Sequence, residues 1–193
     1  MTKALPPAKW GLAIDWETSG YSIPDYASKH SGISFGAAIF DTKTFEVVES
    51  LYCEIKPDPT KEWDMGAERI HGLSRDYLET NGITREDAAI QLASMVIKFI
   101  GTGKVIPLGH RVHFDIAFTN DLLNVIDVVL DWDPIKMDSA ALAAILLNET
   151  SSDGLFNACG FTERTEHNSL EDILLTLESV RTLKQTFLKG QQA

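Results

Sequence analysis

Leu12-Ala13-Ile14-Asp15-Trp16-Glu17-Thr18-Ser19-Gly20 is the stretch on which the reading of this chain turns. It starts apolar, sets two carboxylates one residue apart, and breaks at a small polar turn. Side chains at i and i+2 of a β-strand share a face. Asp15 and Glu17 are therefore expected side by side at the end of a buried strand. Like charges that close raise each other's pKa and resist joint ionisation. A cation between them resolves the conflict, and a hard divalent ion such as Mg²⁺ or Mn²⁺ suits carboxylate oxygens. Taken alone, an Asp-x-Glu pair is more often a strand end with Glu17 facing solvent. The rest of the chain has to decide.

Around this stretch the pattern alternates between strands and helices. The first strand reaches back to Trp10, and Tyr21 to Ser31, broken by Pro24, reads as a loop. Ile33 to Phe40 and Phe45 to Ile55 read as a second and third strand joined by the turn Asp41-Thr42-Lys43-Thr44, an antiparallel meander. Met65 to Leu78 is short-helix territory broken at His71-Gly72. Thr84 with Asp87 predicts a capped helix that Gly101 stops. Val105 to Leu108 reads as a short strand and about Phe114 to Val128 as a helix with Asp115 in its first turn. Ile135 to Met137 suggests a last strand, with Asp138-Ser139 capping a helix through Leu147. Gly154 to Cys159 is a short helix. Asn168 caps the last helix, whose Leu170, Ile173, Leu174, Leu177, Val180 and Leu183 recur at helical period. Gly190 to Ala193 reads as a frayed tail. A meander followed by alternating helices and short strands predicts an α/β architecture, a mixed sheet flanked by helices.

With 193 residues, 44% of them hydrophobic, the chain suits a single domain over 1–193 with its core at about 10–187. No apolar run approaches the ~18 residues of a membrane span. Met1 to Pro7 lacks an apolar signal region. A soluble, cytoplasmic protein away from membranes is expected. Cys53 and Cys159 stand far apart without metal-ligand spacing, so free thiols are expected and neither a disulfide nor a zinc site. The net charge is −11, from 17 basic and 28 acidic residues. That argues against a passive nucleic-acid binder with a basic face. An enzyme that meets phosphates through metal ions is not excluded, because the ions supply local positive charge.

Four acids share one property. Asp15 and Glu17 end the first strand, while Asp115 and Asp172 each open a helix whose apolar face points inward. Singly, Asp115 and Asp172 read equally well as first-turn acids serving the helix dipole. His167 lies five residues before Asp172, on the loop leading into the same helix.

Three blocks carry more than the acids do alone. They are Asp15-Trp16-Glu17-Thr18-Ser19-Gly20, Gly109-His110-Arg111-Val112-His113-Phe114-Asp115-Ile116-Ala117-Phe118, and His167-Asn168-Ser169-Leu170-Glu171-Asp172. With them the chain resembles the DEDDh 3′→5′ exonucleases, the group of proofreading exonucleases, oligoribonuclease and ribonuclease T-like enzymes. Lesser echoes are Ile33 to Asp41, Ile70-His71-Gly72-Leu73-Ser74 and Asp138-Ser139. The resemblance implies a ribonuclease H-like fold with a central five-stranded mixed sheet, and two metal ions, Mg²⁺ or Mn²⁺. By match to the motif, Asp15 would bridge both ions, Glu17 and Asp172 would hold the first, and Asp115 would orient the second through water. His167 would be the general base, and Thr18 matches the position that meets the terminal nucleotide. The chemistry is coherent: two ions about 4 Å apart favour in-line attack and relieve charge on the leaving oxygen, and a histidine takes the water's proton.

Two positions depart from the family pattern. Arg111 stands where Asn is usual, either touching a phosphate or serving as a solvated surface charge. Trp16 fills the middle of Asp-x-Glu, where smaller residues are commoner; strand alternation favours core packing for it, with substrate contact as the other option. Ile70 is a further candidate substrate contact, with His71 beside it as a local packing residue. His30 is expected in a loop, and His110 and His113 as residues leading into a helix. The function expected is a metal-dependent 3′→5′ exonuclease on single-stranded nucleic acid, DNA slightly favoured over RNA, releasing nucleoside monophosphates. A homodimer or a polymerase partner fits such an enzyme. The alternative is a nuclease-like binding module or subunit docked on a polymerase or other replication partner. A module without turnover need not retain all four acids and the histidine, and this chain does.

Overall fold

In the computed structural model, which describes residues 9–23, 26–163 and 167–190, alternation along the first strand decides what packs where. β1 (Trp10–Thr18) runs antiparallel to β2 (Gly32–Asp41), and β2 antiparallel to β3 (Val47–Glu54). On its other side β1 is parallel to β4 (Ile106–Gly109), and β4 to β5 (Met137–Asp138). The order β3-β2-β1-β4-β5 is the five-stranded mixed sheet that the resemblance implies. The helices are α1 (Tyr26–Lys29), α2 (Met65–His71), α3 (Arg75–Asn81), α4 (Arg85–Ile100), α5 (His113–Leu123), α6 (Ser139–Leu147), α7 (Ser152–Ala158) and α8 (Ser169–Gly190). No helix among the described residues is long and apolar enough to cross a membrane.

Even-numbered side chains of β1 face one helix layer. Leu12, Ile14 and Trp16 join Phe35, Ala37 and Ile39 of β2, Leu92 and Val96 of α4, and Phe118 and Leu122 of α5. On the opposite face, Ala13, Ala38, Phe40 and Leu108 meet Ile173, Leu177 and Val180 of α8. Leu12, Ile14, Phe35 and Ile39 are fully buried, each stabilising the fold by about 1.5–3 kcal/mol. This anchors β1 and β2 immediately before and beside Asp15.

The α8 face of β2 is small: Ser34, Gly36, Ala38. Gly36, paired with Asp15 across the strands, lies so close to α8 that a Cβ there would stand 2.3 Å from Leu170 Cα and from the Ser169 carbonyl oxygen. The missing side chain lets the first turn of α8 sit directly on the strand. That turn is capped by Asn168, whose Oδ1 accepts the Glu171 N–H and whose carbonyl accepts the Asp172 N–H.

Most elements match the pattern read from the sequence, including the break at Gly72, which is left-handed, and the capping pair at Thr84 and Asp87. Some boundaries move. Phe45 is not strand but a buried residue at φ 62°, stacked on Phe40, and β3 starts at Val47. The helix expected through Val128 ends at Leu123 and tightens into a 3₁₀ turn over Asn124–Ile126. The last strand is Met137–Asp138, with Ile135 65% exposed outside it. The segment 21–31 is not wholly loop, because α1 lies within it. Met1 to Pro7 and residues 191–193 lie outside the described residues. Both cysteines are free, as expected. Burial pushes the Cys53 thiol up to about 11.

The seat of α8 is testable at one atom. Gly36→Ala is expected to cost about 1–3 kcal/mol, as overpacked cores do, read as a lower urea midpoint with an unchanged slope. An unchanged midpoint would mean that α8 does not rest on β2.

Candidate active site

Asp15 and Glu17 project from β1 beyond its pairing with β4, which covers only Gly11 to Ala13. They stand on the face that α8 covers, and Asp172 enters from the first turn of that helix. Asp15, Glu17 and Asp172 each place a carboxylate oxygen within 4.8 Å of the others, all three half-buried. The donor set is all oxygen, which fits a hard divalent cation.

Asp115 arrives from the other side, from the first turn of α5. It is 2% exposed. The backbone N–H groups of Trp16 and of Asp115 itself favour its charged form, yet Oδ2 is buried with no partner among the described residues. Gly109 makes room for it, since a Cβ there would stand 3.0 Å from Asp115 Oδ2 and from the Ile14 carbonyl oxygen. An orphaned buried carboxylate oxygen beside three converging acids is a further fit to a cation site. Sequence reasoning missed Gly36 and Gly109. Each is a glycine at a buried strand position, a signal of close approach.

Glu17, Asp15 and Asp115 border two adjoining hollows. One, of about 590 Å³, is bordered by Glu17, Thr18, Asp64, Arg69, Ile70 and His71. The other is bordered by Asp15, Asp115, His110, Arg111 and His113. Trp16, Tyr21 and Phe114 border both. Thr18 sits at the irregularity that ends β1 pairing, its hydroxyl donating to the Gly20 carbonyl at 2.9 Å. Ile70 is 60% exposed on the rim. Trp16 is mainly a core residue: its indole N–H donates to Thr119 Oγ1 at 3.1 Å and its ring packs on Phe35 and Phe118, with an edge reaching the groove floor.

The histidines divide by location. His167 occupies the turn before α8 at φ 56°, half-buried and near enough to His71 for their positive charges to oppose each other. His30 is not a simple loop residue. It is 4% exposed, bonded to Ser22 Oγ at 2.9 Å, with its ring where a Gly20 side chain would be. His110 spans from Ser139 Oγ to the Thr150 carbonyl, tying the second hollow to α6 and the loop before α7.

Burial, then the Asp172 charge, pushes the Asp15 carboxyl up to about 7. Burial, then Asp15 and Asp172, pushes Glu17 up to about 9. Asp115 is raised well above the usual range by burial and by Asp15, against the two N–H groups that lower it. A cation would reverse the balance for all of them. The sign of the pH effect follows. A carboxyl whose pKa is higher folded than unfolded contributes stability that is full below about pH 4. That contribution is lost as pH rises through about 7 for Asp15 and about 9 for Glu17. In EDTA, the melting temperature should fall across this window, and Glu17→Gln should fall less steeply. Identical slopes for the two proteins would mean that Glu17 is not held away from water.

The Exonuclease family profile of ribonuclease T (RNase_T) matches residues 12–180. A sequence search of curated proteins returns no match. Among solved structures, E. coli exonuclease I in complex with a dA16 oligonucleotide is similar at TM-score 0.72 and 19% identity, over 92% of this chain and 41% of that one. The nuclease domain of 3′hExo, described as a DEDDh family member bound to rAMP, is similar at TM-score 0.69 and 14% identity, over 93% of this chain and 94% of that one. The chain thus spans about two fifths of exonuclease I, and shares its fold with both. The profile spans Leu12 to Val180, from β1 into α8, and so takes in all four acids; the chain belongs to the RNase T exonuclease family.

Proposed function

We propose that this protein is a metal-dependent exonuclease that removes nucleoside monophosphates from the 3′ end of single-stranded nucleic acid, DNA slightly favoured over RNA. The convergence of Asp15, Glu17 and Asp172 within 4.8 Å, with Glu17 bordering one open hollow and Asp15 the other, carries the reading. In it, residues 1–193 form one exonuclease domain. Asp15, Glu17, Asp115 and Asp172 hold two Mg²⁺ or Mn²⁺ ions. Bound there, such ions polarise a phosphodiester, help to deprotonate the attacking water and offset charge on the leaving oxygen.

The chain's own groups supply the rest. The hollow between Thr18 and Ile70 takes the terminal nucleotide, with Ile70 against the base and Thr18 near the sugar. The edge of Trp16 closes the floor beneath it. His167 accepts the proton of the attacking water at an imidazole nitrogen, as a general base on a turn that can follow the substrate. The left-handed backbone at His167 is a strained state of the kind that persists at functional sites.

Incubation with 5′-labelled single-stranded DNA and RNA should give a ladder shortening from the 3′ end only when Mg²⁺ is present. Asp15→Asn should abolish it while the far-UV spectrum is kept. A variant within a few fold of the parent would remove Asp15 from the chemistry.

His167→Ala should lower the rate by about 10²–10⁴-fold and flatten the acid limb of the pH–rate profile, while keeping the rise in Tm that Mg²⁺ gives the parent. His167→Gln keeps size and hydrogen bonding. A nearly active Gln variant with an unchanged profile would end the general-base assignment.

A further inference from the structure

Arg111 holds a backbone conformation that its side chain makes expensive. Its φ is 64°, in the left-handed region that Gly or Asn adopts at little cost and a residue with a long side chain does not. The surroundings enforce it. The Arg111 N–H donates to Asp138 Oδ1 at 3.1 Å, and the same oxygen caps α6 through the Ala140 N–H at 2.9 Å. The Arg111 carbonyl accepts the Phe114 N–H at 3.0 Å, opening α5. The fold therefore fixes the backbone here and does not need an arginine to do so.

The side chain gives the fold only a long hydrogen bond, to the Thr150 carbonyl, among the described residues. Arg111 is exposed and borders the hollow that contains Asp15 and Asp115. One guanidinium nitrogen lies 3.4 Å from the Thr150 carbonyl, and among the described residues it pairs with no carboxylate. A permanent cation with no anionic partner among the described residues, kept at a strained position beside an acidic centre on a chain of net charge −11, is poised for an external anion.

We propose that Arg111 clamps the phosphate one linkage to the 5′ side of the bond being cut. The inference rests on the exonuclease reading above. If the terminal nucleotide fills the hollow at Thr18 and the scissile phosphate lies at the carboxylates, the strand continues through the hollow at Arg111. The next phosphate is the first anion that it meets there. A guanidinium offers that phosphate two parallel N–H donors with fixed geometry. The consequence is a length and charge requirement: the enzyme grips the linkage behind the one it cuts.

The test pairs Arg111→Asn with an oligonucleotide whose second linkage from the 3′ end is a neutral methylphosphonate. On the unmodified oligomer, Arg111→Asn should raise KM about tenfold, the size of a lost charge-assisted contact. The methylphosphonate should raise the parent's KM by a similar factor and leave the variant's almost unchanged. A methylphosphonate one linkage further 5′ should show no such coupling with the substitution. Tm of the variant should rise by roughly 2–4 °C as strain is relieved. Equal loss for parent and variant on the modified oligomer would overturn the contact, and a lowered Tm would overturn the strain that motivates it. If the parent fails to cut even the unmodified oligomer, the exonuclease reading itself fails, independently of Arg111.

Discussion

Three carboxylate oxygens within 4.8 Å of one another, with a fourth acid buried beside them, form an arrangement that an unconstrained chain would relax at once. Burial and mutual repulsion both act against it, as the raised values of Asp15, Glu17 and Asp115 record. The fold resists by bringing the acids in on elements that cannot drift. β1 is the central strand, paired on both sides, and its Leu12 and Ile14 are fully buried. α8 is seated against Gly36 at backbone distance, and α5 is fitted into the gap that Gly109 leaves. Asp115 and Asp172 lie in the first turns of α5 and α8, and Asp15 and Glu17 in the last four residues of β1, so the rigid part of each element lies behind its acid.

The charge balance of the whole chain is intelligible in the same terms. A polyanion approaching a protein of net charge −11 gains nothing from long-range attraction. What attraction there is must be local: cations in the groove itself, Arg69 on one hollow and Arg111 on the other, and whatever ions the acids hold. Binding governed by short-range contacts of this kind depends less steeply on salt than binding to a broad basic face.

Much of the scaffold was legible because its signals are local. The period of α8, the Thr84–Asp87 cap and the glycine stops at 72 and 101 each depend on neighbours in sequence. The candidate acids stand in the motif blocks, and the structure brings Asp15, Glu17 and Asp172 together where β1 meets the first turn of α8. What was not legible depends on tertiary space. Phe45 reads as strand from its aromatic ring, but the stack on Phe40 turns it inward through a left-handed backbone. His30 sits in a polar stretch with no periodicity, and only the fold slides it under Gly20. Gly36 and Gly109 matter through the side chains that they lack. A strand face of Ser34, Gly36 and Ala38 beside one of Phe35, Ala37 and Ile39 was the available clue that a helix backbone would press on the small face.

The placement of Asp172 has a bearing on biosynthesis. Asp15 and Glu17 are made before α8, and the β1–β2–β3 meander can pair as soon as it is free, since its contacts are short-range in the chain. The carboxylate that completes their cluster arrives with α8, the last described element. Until that helix docks, the small face of β2 is uncovered and the third oxygen is absent. The order of strands and helices therefore leaves the cluster incomplete until α8 has been made and has docked.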